Sequence, residues 1–460
     1  MKGLIPKHEK RGVDRVYFFF IALLFVSLPM SFANAEEEAV PASVQNDLHG
    51  QADDSIKITT LNPDEHISST TVFGRKGGYI HPFMSVKLES SDNINFTHDH
   101  EKHDWTVIYS PGIWLASPAK KRIYFDLDTA TISPNGLYHQ VNIPESFTRY
   151  QAYLLYLADL EDFHNYNERD TVKQTVDSYF QYNLRGGLST SLYYKFLDTE
   201  DPLAYDYRTG RPTTDVEKYV SSLLGVVLEH RIGEKFRVKG EYNNYYLHYD
   251  EDFSEGKNRM DNSGSAYLYY DYTPKTAFFG QYQYTDVHYY NYKIQDSSQH
   301  YGYLGIDWKA SEKVRLQGKV GFVYRDSDNP DGHTVTDPTF ELTYDHKLTE
   351  KSKVKLFTAY KINESSISTA AYSKDSLVRL NLYHAFTAKI EGSMFFDYTH
   401  SKFHGIHRTD DYIRVGPRLH YIVKKWLKTD LGYTYYKNIS DYDLDEFDAN
   451  IFFLRASIGF

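Results

Sequence analysis

The last ten residues of the chain, 451–460, alternate between two kinds of side chain. One face of an extended strand would be apolar throughout, with Phe452, Leu454, Ala456, Ile458 and Phe460. The opposite face includes the polar Arg455 and Ser457. A strand that places alternate side chains in lipid and in water needs this period of two. The end of the chain therefore predicts a strand of a transmembrane barrel, and the aromatic Phe460, typical of such barrels, is the predicted assembly signal for the barrel-assembly machinery.

The same alternation recurs in the interior of the chain. In the segment 313–325, one face carries Val314, Leu316, Val320, Phe322 and Tyr324. The other face carries Arg315, Gln317 and Lys319. A cation on the lipid face at the bilayer midplane costs roughly 2–4 kcal/mol. We therefore expect the charged face of each such segment to meet water inside a barrel, while the apolar face meets outer-membrane lipids.

Eighteen segments with this pattern predict an all-β fold, a transmembrane antiparallel up-and-down β-barrel of about 18 strands. The predicted strands are 79–89, 104–115, 121–132, 174–185, 188–198, 219–230, 236–249, 264–272, 277–291, 300–309, 313–325, 338–347, 353–363, 375–385, 388–401, 411–421, 427–438 and 450–460. Short connections such as 273–276 and 348–352 are predicted on the periplasmic side, and longer ones outside. The connection 133–173 is predicted as an outer loop, although its apolar stretch Tyr150 to Leu160 could also be an extra strand, an extension of the third strand or a short helix.

The N-terminus predicts export from the cytoplasm. Five basic residues precede an apolar run from Val16 to Met30, which is followed by Ala33-Asn34-Ala35. This order is typical of a secretory signal peptide, predicted at 1–35. Residues 36–77 show little apolar periodicity and are predicted to form a flexible periplasmic arm. The barrel would then occupy 78–460, and the predicted location is the cell outer membrane.

Composition narrows the classes of function. The chain carries 51 Lys and Arg against 62 Asp and Glu, a formal net charge of −11, which argues against a nucleic-acid binder. It has no cysteine, so it uses neither disulfides nor thiolate chemistry. It has 43 Tyr and 28 Phe, as expected if aromatic residues ring the two membrane interfaces of a barrel.

The faces predicted to be inward carry many cations. The predicted lumen-lining basic residues are Arg122, Arg185, Lys195, Arg237, Lys239, Arg315, Lys319, Lys353, Lys355, Arg379, Lys389, Arg414, Arg418, Lys428 and Arg455. Acidic residues on comparable faces are Asp126, Glu229, Glu241, Glu341, Glu391 and Asp430. An excess of cations on the wall would attract and guide polyanions. Alternatively, these cations pair with carboxylates on neighbouring strands and only keep the lumen wet.

Other candidate sites are weaker. The segment His98 to His103 is rich in histidine and acidic residues, whose side chains can bind transition metals, but a solvated loop is the simpler interpretation. No Gly-x-Ser-x-Gly motif marks a nucleophile. We therefore predict no catalytic residue, no metal site and no cofactor.

Several short motifs resemble a family of outer-membrane β-barrels associated with exopolysaccharide or capsule export. The motifs are Ile80-His81-Pro82-Phe83, Ser91-Asp92-Asn93-Ile94, Trp105 to Pro111-Gly112-Ile113, Val415 to Tyr421, Leu431 to Tyr436 and the closing strand to Phe460. The resemblance implies passage of a polysaccharide, in company with a periplasmic export lipoprotein and an inner-membrane polymerase or transporter.

The sequence thus favours an outer-membrane channel for passage of a polysaccharide to the cell surface. The first alternative is a general or oligosaccharide-uptake porin with the same fold. The second is a surface enzyme or adhesin that uses the outer loops. Conductance that an acidic polysaccharide blocks would favour export, unblocked conductance would favour a porin, and a closed pore with clustered Ser, His and acid would favour an enzyme.

Overall fold

A computed structural model describes most of the predicted barrel. The described residues are 79–117, 149–201, 205–206, 211–212, 216–328, 334–365, 370–424 and 426–459. The predicted signal peptide 1–35, the predicted arm 36–77, the predicted strand 121–132 and the C-terminal Phe460 lie outside them.

Twenty strands follow one another in the described part of the chain. They are β1 Ile80–Ser91, β2 Asp104–Ser117, β3 Tyr150–Phe163, β4 Thr171–Asn183, β5 Leu188–Asp201, β6 Tyr205–Asp206, β7 Arg211–Pro212, β8 Glu217–Ile232, β9 Phe236–Tyr249, β10 Arg259–Thr273, β11 Thr276–Tyr289, β12 Ser297–Trp308, β13 Val314–Ser327, β14 Val335–Lys347, β15 Ser352–Asn363, β16 Tyr372–Ala385, β17 Ile390–His404, β18 Thr409–Lys424, β19 Leu427–Ser440 and β20 Phe447–Gly459. Short 3-10 helices lie at Asn167–Arg169, Glu255–Lys257, Lys293–Gln295 and Asp443–Asp445. None of the helices in the described ranges is long and apolar enough to cross a membrane.

Eighteen of these strands form one closed antiparallel sheet, as the sequence predicts. Each pairs with its neighbours along the chain, and β5 pairs with β8 because β6 and β7 form a separate small hairpin. The first and last strands close the barrel, with pairs from Phe83 and Gly459 to Ser91 and Ile451. Closure gives every strand two partners, so the sheet has no open edge.

The two faces of the sheet differ in exposure because the concave face crowds its side chains. On β20, Phe452 and Leu454 are 56% and 54% exposed, whereas Phe453 and Arg455 are 7% and 6% exposed. The exposed outward residues are mostly apolar and aromatic, and the buried inward face carries the charges. This division is what a wall between hydrocarbon and a polar lumen requires.

The third barrel strand lies at a different place from the one predicted. The prediction that 133–173 forms an outer loop is wrong for residues 150–163, because Tyr150–Phe163 is β3 and pairs with both β2 and β4, whereas 164–170 is a connection as predicted. A strand was one of the alternatives for this stretch. Its alternation is obscured because Leu155 and Leu157 occupy inward positions, where charged residues stand in other strands. The inward carboxylates Asp159 and Glu161 complete the pattern.

Aromatic rings lie flat against the inner wall over glycines of the adjacent strand. The directly paired partners are Phe83 with Gly112, Tyr193 with Gly225, Phe279 with Gly305 and Phe453 with Gly432. A Cβ at any of these glycines would overlap the ring. The missing side chain therefore lets a large ring pack along the wall instead of projecting into the lumen.

Candidate functional site: the inner wall of the barrel

The inner wall carries ion pairs that run between neighbouring strands. Lys319 on β13 lies 3.1 Å from Glu341 on β14 and donates to Gln281 on β11 at 3.2 Å. Lys361 on β15 binds the same Glu341 carboxylate. The Lys319 ammonium also lies 4.3 Å from the centre of the Tyr303 ring. These contacts span five adjacent strands.

Most of the predicted lumen cations have a carboxylate partner. The predicted cations within 4.0 Å of a carboxylate include Arg237, Lys239, Arg315, Lys319, Lys355, Arg379, Arg414 and Lys428. Three more predicted cations act electrostatically on inward acids, namely Lys195 on Asp177, Lys353 on Glu391 and Arg455 on Asp430. This geometry fits the alternative in which cations pair across strands.

The segment from β16 to β20 combines cations with aromatic rings. Arg414, fully buried, donates from Nε to the Asp397 carboxylate at 3.0 Å. Its guanidinium carbon lies 5.2 Å from the centre of the Phe395 ring. Arg418 and Arg455 lie 5.5 and 5.6 Å from the centre of the Phe453 ring. Guanidinium groups stack well on aromatic faces, so these contacts hold the cations against the wall.

Two predicted lumen cations lie in turns at the ends of strands, and a third is not described by the structure. Arg185 is exposed in the turn after β4, which ends at Asn183. Lys389 is exposed in the turn before β17, which begins at Ile390. Both residues lie at the ends of predicted strands, and sequence patterns place strand boundaries only to within a few residues. Arg122 lies outside the described residues.

The connection between β15 and β16 is fixed to the inner wall at its described ends, 364–365 and 370–371. Glu364, just after β15, accepts hydrogen bonds from Ser297 Oγ at 2.9 Å and from Gln299 Nε2 at 2.7 Å. It also binds Arg325 on β13, with Nη2 to Oε2 at 3.2 Å. Arg325 further donates to the carbonyl of Ala371 at 3.3 Å, so both flanks of this connection contact the inner wall.

The first outer loop also contacts inward-facing residues. The Phe96 ring lies 5.2 Å from the Tyr436 ring and 5.3 Å from the Phe447 ring. Its backbone has a φ of 50°, a costly conformation for a bulky residue, which this packing stabilises. In the connection between β3 and β4, Arg169 pairs with Glu200 on β5 at 3.3 Å. Loop residues at this end of the barrel are therefore held in contact with the wall.

The histidine-rich segment His98 to His103 belongs to this first outer loop. Within the described ranges, no group of three or more His, Asp or Glu side chains is arranged to hold a metal ion. His103 instead packs edge-on against Trp105, with ring centres 6.4 Å apart.

The sequence prediction omitted several wall residues. Lys87 faces inward, pairs with Glu89 at 2.9 Å and alternates with the apolar Val86 and Leu88, so its pattern could have been recognised. Arg325 ends the predicted strand 313–325 on the same face as Lys319. Glu364 follows a strand end and has no periodic signal, so the sequence gives no reason to place it inside the barrel.

The chain was compared with solved structures, curated proteins and family models. The chain is similar in fold to OccAB4 of Acinetobacter baumannii, with 12% identity, a TM-score of 0.42 and coverage of 84% of this chain and 99% of that one. It is also similar to opdK of Pseudomonas aeruginosa, with 9% identity, a TM-score of 0.41 and coverage of 83% and 99%. A third similar structure is a BenF-like porin from Pseudomonas fluorescens Pf-5, with 10% identity and a TM-score of 0.43. The match covers 83% of this chain and 98% of that one.

None of the curated proteins matches the chain. The family described as "Putative beta-barrel porin 2" matches residues 75–459, which is most of the sequence. With its closed barrel of 18 strands, the chain therefore belongs to this family of outer-membrane β-barrel porins.

Proposed function

We propose that this protein is a passive porin that lets small polar solutes, including oligosaccharides, diffuse across the outer membrane. The observation that supports this best is the contrast between the walls of the closed barrel, apolar outside and charged inside. Barrels of 16 to 18 strands are wide enough to leave an aqueous channel. The general or oligosaccharide-uptake porin, our first alternative from the sequence, thus becomes the leading proposal.

The pairing of wall charges supports the choice of solute. Ion pairs such as Lys239 with Glu241 and Lys319 with Glu341 alternate positive and negative groups over short distances. Alternating charges cancel at long range, so they hydrate the lumen without a strong field of one sign. Such a wall suits neutral sugars better than a long polyanion.

Reconstitution of the full chain in planar bilayers and in liposomes tests this proposal. We expect stepwise conductance in KCl and swelling of liposomes in solutions of mono- and disaccharides, with rates that fall as solute size rises. Liposomes without the protein give the baseline. A folded, inserted barrel that neither conducts ions nor admits a monosaccharide would exclude a porin.

Polysaccharide export remains the second candidate. Its support is the cluster of Arg418 and Arg455 around Phe453, where a sugar acid could bind, together with the resemblance of the sequence motifs to export barrels. A periplasmic export lipoprotein would then be the partner. Block of the conductance by an acidic polysaccharide, but not by a neutral one of equal length, would favour export over uptake.

A further inference from the structure

Three side chains on the inner wall are joined by polar contacts across three neighbouring strands. Ser393 lies on β17, His420 on β18 and Asp430 on β19. The Ser393 Oγ atom lies 3.4 Å from Nε2 of His420, and Nδ1 of the same ring lies 2.5 Å from a carboxylate oxygen of Asp430. A hydroxyl, an imidazole and a carboxylate in this order are the parts of a serine nucleophile that a general base activates.

The register of the sheet brings these residues together. His420 pairs directly with Asp430 between β18 and β19. Ser393 pairs directly with Arg418, which shares the inward face of β18 with His420. Ser393 and Asp430 are 27 and 10 positions from His420 in the chain, so no local sequence motif reveals the set.

The supporting groups are shielded from water, whereas the serine is accessible. His420 is 2% exposed and Asp430 is 4% exposed, but Ser393 is only half-buried. A carboxylate only accepts hydrogen bonds, so Nδ1 of His420 carries a proton, and Nε2 of the neutral ring accepts one from Ser393. Lys428 pairs with the Asp430 carboxylate at 3.0 Å. A solute in the lumen therefore meets the hydroxyl, while the imidazole and the carboxylate stay behind it in the wall.

A cation lies beside the hydroxyl. The guanidinium carbon of Arg418, the residue opposite Ser393, is 5.1 Å from the centre of the Phe395 ring and 5.5 Å from that of the Phe453 ring. Contact with two rings holds the guanidinium at the wall, and its N–H groups are strong donors. An oxyanion that forms next to Ser393 would accept a hydrogen bond from Arg418, which is the stabilisation that acyl transfer needs.

We propose that Ser393 and His420 are the catalytic residues, and Asp430 a positioning residue, of a site that hydrolyses carboxylic esters on solutes in the lumen, such as O-acylated sugars. An ester is the expected substrate because an alcohol leaves more readily than an amine. The activity goes beyond the proposed function, on which it rests only because the solute reaches the site through the channel.

The reaction has two balanced steps. Ser393 Oγ attacks the carbonyl carbon of the ester, and its proton passes to Nε2 of His420. His420 gives this proton to the alcohol oxygen as the bond between that oxygen and the carbonyl carbon breaks. Water from the lumen then attacks the acyl-serine, and its proton returns through Nε2 to Ser393 Oγ as the carboxylic acid leaves.

Covalent labelling of the folded full-length protein in detergent tests the site without requiring conduction. The probes are a fluorophosphonate, which phosphonylates activated serines, and p-nitrophenyl acetate, a small ester whose hydrolysis is followed by colour. We expect the fluorophosphonate to attach to Ser393, as located by mass spectrometry of peptides, and to stop ester hydrolysis. A folded protein that carries no label on Ser393 would overturn the proposal.

Matched variants assign the roles. Ser393→Ala should reduce ester hydrolysis to the rate without protein, and His420→Gln should slow labelling and hydrolysis by about 100-fold or more. Asp430→Asn should lower kcat by about 100-fold or more with little change in KM, because the amide no longer orients the imidazole. The control Ser265→Ala removes a half-buried hydroxyl from the inward face of β10, where it bonds to Tyr267, and should change neither readout.

Each variant is first shown to migrate as a folded barrel in unheated gels. Equal labelling of Ser265 and Ser393 would mean that lumen hydroxyls react without a base, and it would overturn the site. Unchanged labelling in folded His420→Gln would do the same. If His420→Gln does not fold, Ser393→Ala still decides, because it removes a single oxygen atom and hydrolysis at the wild-type rate would overturn the proposal.

The bilayer experiment separates this site from the porin. A conducting barrel whose Ser393 is not labelled refutes only the ester-hydrolysing site. A barrel that is labelled at Ser393 and never conducts supports the site and refutes the porin.

Discussion

At the scale of single residues, a substitution on the outer wall tests whether that face of the sheet meets lipid. Leu304 on β12 is 74% exposed on the apolar side of the sheet. We expect Leu304→Arg to destabilise the inserted barrel by about 2–4 kcal/mol, because it places a cation in hydrocarbon. Reversible urea unfolding in phospholipid vesicles measures the decrease in the free energy of unfolding.

The matched control is Gln283→Arg, which adds the same charge on the inward face of β11. It should change the free energy of unfolding by less than about 1 kcal/mol, because the inner wall is already charged. If both substitutions lower the free energy of unfolding equally, then the two faces of the sheet do not meet different solvents.

The glycines of the inner wall allow a second residue-scale prediction. A Cβ at Gly225 would overlap the Tyr193 ring, which is buried and whose hydroxyl binds Asn243 and Glu241. Since the ring cannot retreat without breaking these bonds, Gly225→Ala should destabilise the barrel by about 1–3 kcal/mol. The same urea titration measures the effect.

Gly240, on the adjacent strand β9, provides the comparison. A Cβ there has no heavy atom within 4 Å, so Gly240→Ala should be neutral or slightly stabilising. Equal losses for the two variants would mean that lost backbone flexibility, rather than the Tyr193 ring, controls the result.

At the scale of secondary structure elements, alternation predicts strands well when one face is charged and the other apolar. The strand β9, Phe236–Tyr249, has the predicted bounds because Arg237, Lys239 and Glu241 alternate with apolar or small residues. The alternation does not reveal strand β3, because the first half of this strand has apolar residues on both faces. Alternation with a period of two identifies the two faces of a strand, but apolar residues at inward positions hide the alternation.

Partners across strands follow from register, which the sequence does not specify. The pairing of Lys319 with Glu341 needs residues 22 positions apart to lie directly opposite, as they do between β13 and β14. The contacts of Glu364 are harder still to predict, since this residue follows a strand end and no periodic pattern indicates that it binds the inner wall. The sequence therefore predicts which strand residues face inward, but not their ion pairs or the loop residues that contact the wall.

The anchor at Glu364 allows a prediction about this connection. Glu364→Ala would leave Arg325 buried without its carboxylate, an arrangement that typically costs about 3–5 kcal/mol. We expect the flanks 364–365 and 370–371 to leave the wall, which would widen the mouth and raise single-channel conductance. Glu364→Gln keeps the shape and some hydrogen bonds, so it should have a smaller effect. Unchanged conductance in Glu364→Ala would show that the connection does not limit the pore.

At the scale of the whole barrel, ion selectivity depends on the balance between wall cations and wall carboxylates. Arg315 binds Asp307 at 2.8 Å, and Lys355 lies 3.8 Å from Asp345. Removal of such cations leaves the carboxylates, so the lumen becomes more negative and its field favours cations. These side chains are partly exposed, so their loss should cost little stability.

We therefore expect a variant with Arg315, Lys319, Lys353 and Lys355 all changed to Gln to assemble normally and to become more selective for cations than the native channel. The reversal potential across a KCl gradient measures this, and it should shift toward the potassium equilibrium potential. The control changes Lys235, Lys275, Lys313 and Lys351 to Gln, all exposed in turns at the barrel rim. Because rim charges are screened beyond about 8–10 Å at physiological salt, this control should shift the potential much less. Equal shifts in the two variants would assign selectivity to net charge at the channel entrance, and the inner wall would then have no special part in it.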